Sequence, residues 1–125
     1  MKKLLVLLFS LIISLNSYGE WTEVSNNTNG TSFYVDIDRI KNQGPYVYYW
    51  ELLDLLKPNS GGTLSAKSYI QGDCNLFRYK ILSDSFYKTN MGQGRSFSSS
   101  NIPDKDWRYP FPNSSAEAIL EIVCN

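Results

Sequence analysis

Tyr46-Val47-Tyr48-Tyr49-Trp50-Glu51-Leu52-Leu53-Asp54-Leu55-Leu56 is the run on which the fold turns. Its alternating faces are Tyr46, Tyr48, Trp50 and Leu52 on one side and Val47, Tyr49, Glu51 and Leu53 on the other. Strand side chains alternate between faces, so large apolar groups on both describe a strand covered on both sides, at the centre of a sheet.

Upstream of it, residues 21–24 and 31–36 read as strands separated by the Asn26-Asn27-Thr28-Asn29-Gly30 turn. Residues 36–40 read as a short helical turn opened by an Asp36 cap and ended by Gln43-Gly44-Pro45. Downstream, Pro58-Asn59-Ser60-Gly61-Gly62 predicts a hairpin loop, with residues 64–74 as the returning strand. Residues 75–84 continue as a half-exposed strand, with Phe77, Tyr79 and Ile81 on one face and Arg78 and Lys80 on the other. Residues 85–91 extend it as far as Gly92-Gln93-Gly94, and residues 95–100 give a short last strand. The stretch 101–113, with Pro103, Pro110 and Pro112, is an irregular connector pinned to the sheet by Trp107.

The chain closes on a helix signal. Ser114-Ser115-Ala116-Glu117 fits a capping box, and Ala116, Ile119, Leu120 and Val123 recur at helical spacing. The expected architecture is therefore α+β: a small antiparallel sheet of about six strands packed against one C-terminal helix, with one disulfide.

The N-terminal segment has a different character. Met1-Lys2-Lys3 is basic, residues 4–15 are apolar apart from Ser10 and Ser14, and Ser17 and Gly19 place small residues at positions −3 and −1. That is an export signal spanning residues 1–19, followed by a single domain at 20–125. Its apolar run falls short of the roughly twenty residues needed to span a bilayer. No cysteine stands at the junction, so lipid attachment is not indicated. The expected location is the periplasm, the outer surface or the medium.

The chain of 125 residues carries 12 Lys and Arg against 12 Asp and Glu, and losing Lys2 and Lys3 leaves the domain at −2. A nucleic acid is not expected as partner, because phosphate polymers are held by dense basic clusters. There is no histidine. This removes the usual general base and the commonest zinc ligand, so no enzyme, cofactor, metal or small-molecule substrate is expected. A small hydrolase built on Ser or Asp has no base to activate its nucleophile. Cys74 and Cys124, an even count in an exported domain, make one structural disulfide the default; a redox pair would call for CxxC-like proximity.

Sixteen aromatic residues remain in the domain, a large contact surface for its size. Tyr46, Tyr48 and Trp50 form a stripe that could grip a sugar or a partner's apolar ridge, although packing in the core or at a dimer interface is the reading preferred for it. Arg78, Lys80 and Lys88 with Lys67 make a modest basic patch for an acidic partner; the same charges also serve as solvated strand-face residues that discourage edge pairing. Asp36-x-Asp38 and Asp104-x-Asp106 resemble fragments of an oxygen-ligand metal site, but turn capping accounts for them and neither has a calcium-binding loop.

Taken in order, several of these residues resemble the surface-adhesin protein E family of exported bacterial proteins. The matching features are Phe33-Tyr34-Val35-Asp36 followed by Arg39-Ile40, the apolar strand at 47–54, and Ser65-x-Lys67 leading into Asp73-Cys74. Arg78, Phe86-Tyr87, Met91-Gly92-Gln93-Gly94 and the ending Glu121-Ile122-Val123-Cys124 follow. The resemblance implies a small antiparallel sheet packed on a C-terminal helix, a bridge between Cys74 and Cys124, and homodimers formed through the sheet. It also implies a non-enzymatic domain that binds extracellular-matrix or serum adhesive glycoproteins of a host. An envelope homodimer with no host ligand is the alternative. It is favoured by the missing lipid anchor and by Ser60-Gly61-Gly62-Thr63 standing where a basic segment would serve host-protein binding.

Overall fold

The computed structural model describes residues 20–125, so the reading of residues 1–19 as an export signal lies outside the described residues. The strands are β1 (Trp21–Asn26), β2 (Ser32–Asp36), β3 (Lys41–Gln43), β4 (Tyr46–Asp54), β5 (Ser65–Asp73), β6 (Arg78–Tyr87) and β7 (Ser98–Ser100), followed by helix α1 (Ser115–Val123). They form one open antiparallel sheet in the order β1-β2-β4-β5-β6-β7, with β3 also paired to β4. Among the described residues, no helix is long and apolar enough to cross a membrane.

β4 is central, as its two apolar faces require. β5 pairs with it along its whole length, from Tyr46↔Asp73 to Asp54↔Ser65. Its other edge is shared: β2 takes Glu51 to Asp54, and β3 takes Tyr46 to Tyr48. β3 is the strand that sequence patterning does not show, because Lys41-Asn42-Gln43 is polar and exposed throughout. It forms because the chain reverses at Gly44-Pro45, where Gly44 adopts a φ of +60°.

One face of the sheet is closed by α1. Val35, Val47, Tyr49 and Ile70 meet Ile119, Leu120 and Val123 in the core. Gly72 makes this close approach feasible, since a Cβ there would stand 2.8 Å from Val47 Cγ1 and 3.1 Å from Leu120 Cδ1. Ser114 caps the helix by accepting a hydrogen bond from the Glu117 amide at 3.1 Å. The capping box is completed one residue early: the Glu117 carboxylate accepts from the Asn113 amide, while the Ser114 amide donates to the Phe111 carbonyl. Asn113, at a φ of +65°, turns the chain so that its own amide faces the carboxylate.

Two other local readings are corrected. Asp36 makes no side-chain cap to the short 3-10 turn Ile37–Arg39; its carboxylate instead lies 3.4 Å from Arg39 Nε. The strand expected from residue 75 starts at Arg78, because Asp73 Oδ1 accepts from the Asn75 and Leu76 amides and Phe77 takes a φ of +51°. Residues 74–77 are thus the turn between β5 and β6. Tyr79 and Ile81 face the helix side as expected. A bulge then shifts the register, so that Ile70 pairs with Ile81 but Ser68 with Asp84.

Cys74 and Cys124 are bonded across a separation of 50 residues, with Cα atoms 5.6 Å apart. The bond joins the β5–β6 turn to the end of α1. The connector is pinned as expected: Tyr79 and Arg108 exchange backbone hydrogen bonds of 2.9 and 2.8 Å, and the Trp107 ring lies 5.5 Å from that of Tyr46. Asp104 accepts from the Ile81 amide and from Arg108, so this half of the Asp-x-Asp pair ties the connector to the sheet.

Candidate functional site

The face turned away from α1 collects the polar and aromatic side chains. Register places Trp50 opposite Tyr69 and Tyr48 opposite Gln71, so β4 and β5 interleave their rings. Tyr69 lies 4.8 Å from Trp50 and stacks on Tyr48 at 6.2 Å, while Gln71 donates to the Tyr48 hydroxyl at 3.1 Å. The stripe Tyr46, Tyr48 and Trp50 is half-buried and lies outside the hydrophobic core, which takes Val47 and Tyr49 from the opposite side of the same strand.

At one end of this face the guanidinium of Arg78 sits 4.4 Å and the ammonium of Lys80 4.8 Å from the centre of the Trp107 ring. Trp107 is therefore a hub that holds two cations beside Tyr46. Arg78 Nε also donates to Asp73 Oδ2 at 2.9 Å. Burial pushes the Asp73 carboxyl upward, yet Arg78 and the Leu76 and Asn75 amides together hold it below the usual aspartate range.

The four basic residues fall in two places. Lys67 pairs with Ser85, whereas Lys80 pairs with Gln71, four residues further along β5 and thus about 13 Å away at strand rise. The Lys67 ammonium lies 5.2 Å over the Tyr87 ring. Lys88, just beyond β6, lies 5.1 Å over Phe97. Only Arg78 and Lys80 come together around one ring.

Beside Lys67, the segment 89–93 folds back over the sheet. Ser65 Oγ donates to the Thr89 carbonyl and accepts from the Gly92 amide, and Asp54 accepts from the Met91 amide. Gly92 suits this turn through its φ of +59°, and a Cβ there would push aside the end of the Lys67 side chain, whose Cε would stand 2.5 Å away. Between this segment and Trp21 of β1 lies a cavity of about 570 Å³, and beside it a smaller one of about 250 Å³ is lined by Trp21, Asp36, Trp50 and Lys67. Trp21 and Tyr69 also belong to this face, although neither stands among the expected contact residues. The Trp-x-x-Val start of the domain and the alternation through Lys67, Tyr69 and Gln71 are the signals that mark them.

On the helix side, Glu51, Ser68 and Asp84 lie in one row across β4, β5 and β6. Ser68 donates to Asp84 Oδ1 at 2.5 Å. Burial, and then the Asp84 carboxylate, push Glu51 up to about 7. The folded chain holds this proton more tightly than the unfolded chain, whose glutamate titrates near 4.5, so stability falls as pH rises through that window and stays lower above it. Glu51→Gln is therefore expected to stabilise the fold at about pH 8 by on the order of 1–3 kcal/mol, seen as a higher melting temperature, and to change it little at about pH 4. Melting curves of both proteins across this range check the sign.

An open antiparallel sheet with one C-terminal helix on one face, stapled by a single disulfide and bearing an aromatic and cationic array on the other, defines the class. The chain belongs to the surface-adhesin protein E family, whose model matches residues 21–125. Its fold is that of Haemophilus influenzae protein E. Crystal form II of that protein superposes with a TM-score of 0.65 at 17% identity, covering 85% of this chain and 87% of that one. A second structure of Haemophilus influenzae protein E gives 0.63 at 17% identity, covering 85% and 84%. Protein E from non-typeable Haemophilus influenzae gives 0.61 at 17% identity, covering 85% and 76%. Among curated proteins none matches the chain in sequence.

Proposed function

We propose that this chain is an exported, non-enzymatic, adhesin-like domain that binds protein partners through the sheet face turned away from α1, with extracellular-matrix or serum glycoproteins of a host as the partner class. One observation carries the reading: Trp107, with Arg78, Lys80 and Tyr46 around it, adjoins the Tyr48–Tyr69–Trp50 row on a face that the helix leaves uncovered. Aromatic rings and arginine are the groups that dominate protein interfaces. Membership of a surface-adhesin family supports export to the cell surface. Cell fractionation with an antibody tests that location.

Surface plasmon resonance on immobilised matrix and serum glycoproteins tests the binding. Lys80→Glu is expected to weaken it about tenfold or more while leaving melting close to wild type, and Tyr48→Ala to weaken it similarly at some cost in melting temperature, because its contacts with Tyr69 and Gln71 are lost as well. Absence of binding to every glycoprotein overturns the reading. The uncovered aromatic row also favours the second reading, an envelope homodimer in which two such faces meet without a host ligand. Sedimentation at micromolar concentration distinguishes them, since a monomer removes the homodimer.

A further inference from the structure

We propose that the cavity beside Trp21 and Trp50 is a binding site for a single acidic sugar ring, a pyranose bearing a carboxylate. The site shares Trp50 with the aromatic row but lies away from the Trp107 cluster, and it does not depend on that cluster's partner. Three kinds of group line the cavity. Trp21, Trp50 and Tyr87 supply aromatic surface, which suits the flat C–H face of a pyranose. Lys67 and Arg39 supply positive charge, and Asp36 and Ser85 supply polar oxygens.

Asp36 indicates that a donor is lacking. It is 3% exposed, and its Oδ1 is buried without a hydrogen-bond partner among the described residues. A buried acceptor left unpaired is costly, and since Oδ1 itself is closed to water, a turn of the Asp36 carboxylate into the cavity is what would let a ring hydroxyl relieve it. Its other oxygen already has Arg39, itself shared with Glu20 at 3.6 Å. Lys67 is differently placed: among the described residues no carboxylate lies within ion-pair distance of it, and its ammonium rests over the Tyr87 ring. The cavity thus has a cation with no counter-charge at one point and an acceptor with no donor at another. A ligand that brings both a carboxylate and a hydroxyl on a ring that can stack satisfies the two together.

Size sets the length of the ligand. About 250 Å³ is smaller than the usual pocket for a drug-sized molecule, so it takes one ring. A larger cavity of about 570 Å³ shares Trp21 and Lys67 with it and runs along Met91 to Gly94. The remainder of a longer glycan would leave by that side.

The test is a tryptophan-fluorescence titration of the full chain with free sialyllactose, glucuronic acid, neutral lactose and adenosine monophosphate. One or both acidic sugars are expected to bind at least about tenfold more tightly than lactose, and which of them does so identifies the source of the ring. Trp50→Ala and Lys67→Met are each expected to lower that affinity about tenfold, Lys67→Met with melting near wild type. Should Trp50→Ala not fold, Trp50→Phe, which keeps a stacking ring, takes its place and is expected to retain part of the affinity. The proposal is overturned if neither acidic sugar binds, if lactose binds equally well, if adenosine monophosphate binds in preference, or if Lys67→Met binds as wild type does. Because free sugars are used, a negative result leaves glycoprotein binding through the Trp107 cluster standing.

Discussion

Cys74→Ser is expected to melt about 12–25 °C below wild type, and Cys124→Ser to match it. The reason lies mainly in the unfolded chain. The bond closes a loop of 50 residues, and in the chain-entropy model that restriction is worth about 3–4 kcal/mol. Cys74 is exposed and Cys124 half-buried, so the thiols themselves contribute little packing that a serine would lose. The native state adds a second reason. α1 has nine residues, too few to be stable alone, and the bond holds its final turn against the β5–β6 turn. Since either substitution breaks the same link, the double variant should be no less stable than either single one. Thermal melts with and without reductant give the check: a wild-type protein whose melting is unmoved by full reduction would contradict the account.

Leu120→Ala is expected to cost about 3–4 kcal/mol, read as a lower urea midpoint at unchanged slope. Leu120 is fully buried at the centre of the helix–sheet contact, among Val35, Val47, Tyr49 and Ile70. Its neighbour below is Gly72, which has no side chain to move into the space vacated. The hole therefore stays largely open, and the cost belongs in the upper part of the range for such truncations. The same contact predicts coupling. Gly72→Ala should destabilise the wild type, because its Cβ would be forced against Val47 and Leu120, and should do so less in the Leu120→Ala background. Additive losses would show that the two positions do not share one space.

The sheet and helix were legible because their patterns are local. β4 carries apolar groups on both faces, and α1 has an apolar stripe behind a Ser cap. β3 was not, since nothing in Lys41-Asn42-Gln43 distinguishes a strand from a loop until β4 supplies its partner. Phe77 was misplaced because the hydrogen bonds from the Asn75 and Leu76 amides to Asp73 override its alternation with Tyr79 and Ile81. The stripe Tyr46, Tyr48 and Trp50 could be read from alternation, whereas the rings that complete it, Tyr69 and Trp107, arrive through strand register and a long connector. Lys67 joins a different neighbourhood from Arg78 and Lys80 for the same reason. Asp36 looked like a cap and is a cavity wall, a difference that depends on what Trp21 and Trp50 bring near it.

The Cys74–Cys124 bond also determines what happens when the chain is cut. The span it closes contains the long irregular connector, where Ile102, Tyr109 and Phe111 stand exposed and offer a protease ready side chains. A nick there produces two fragments that remain one molecule, with α1 still tethered to the sheet it covers. A cut in this exposed connector would thus leave in place the helix that closes the core.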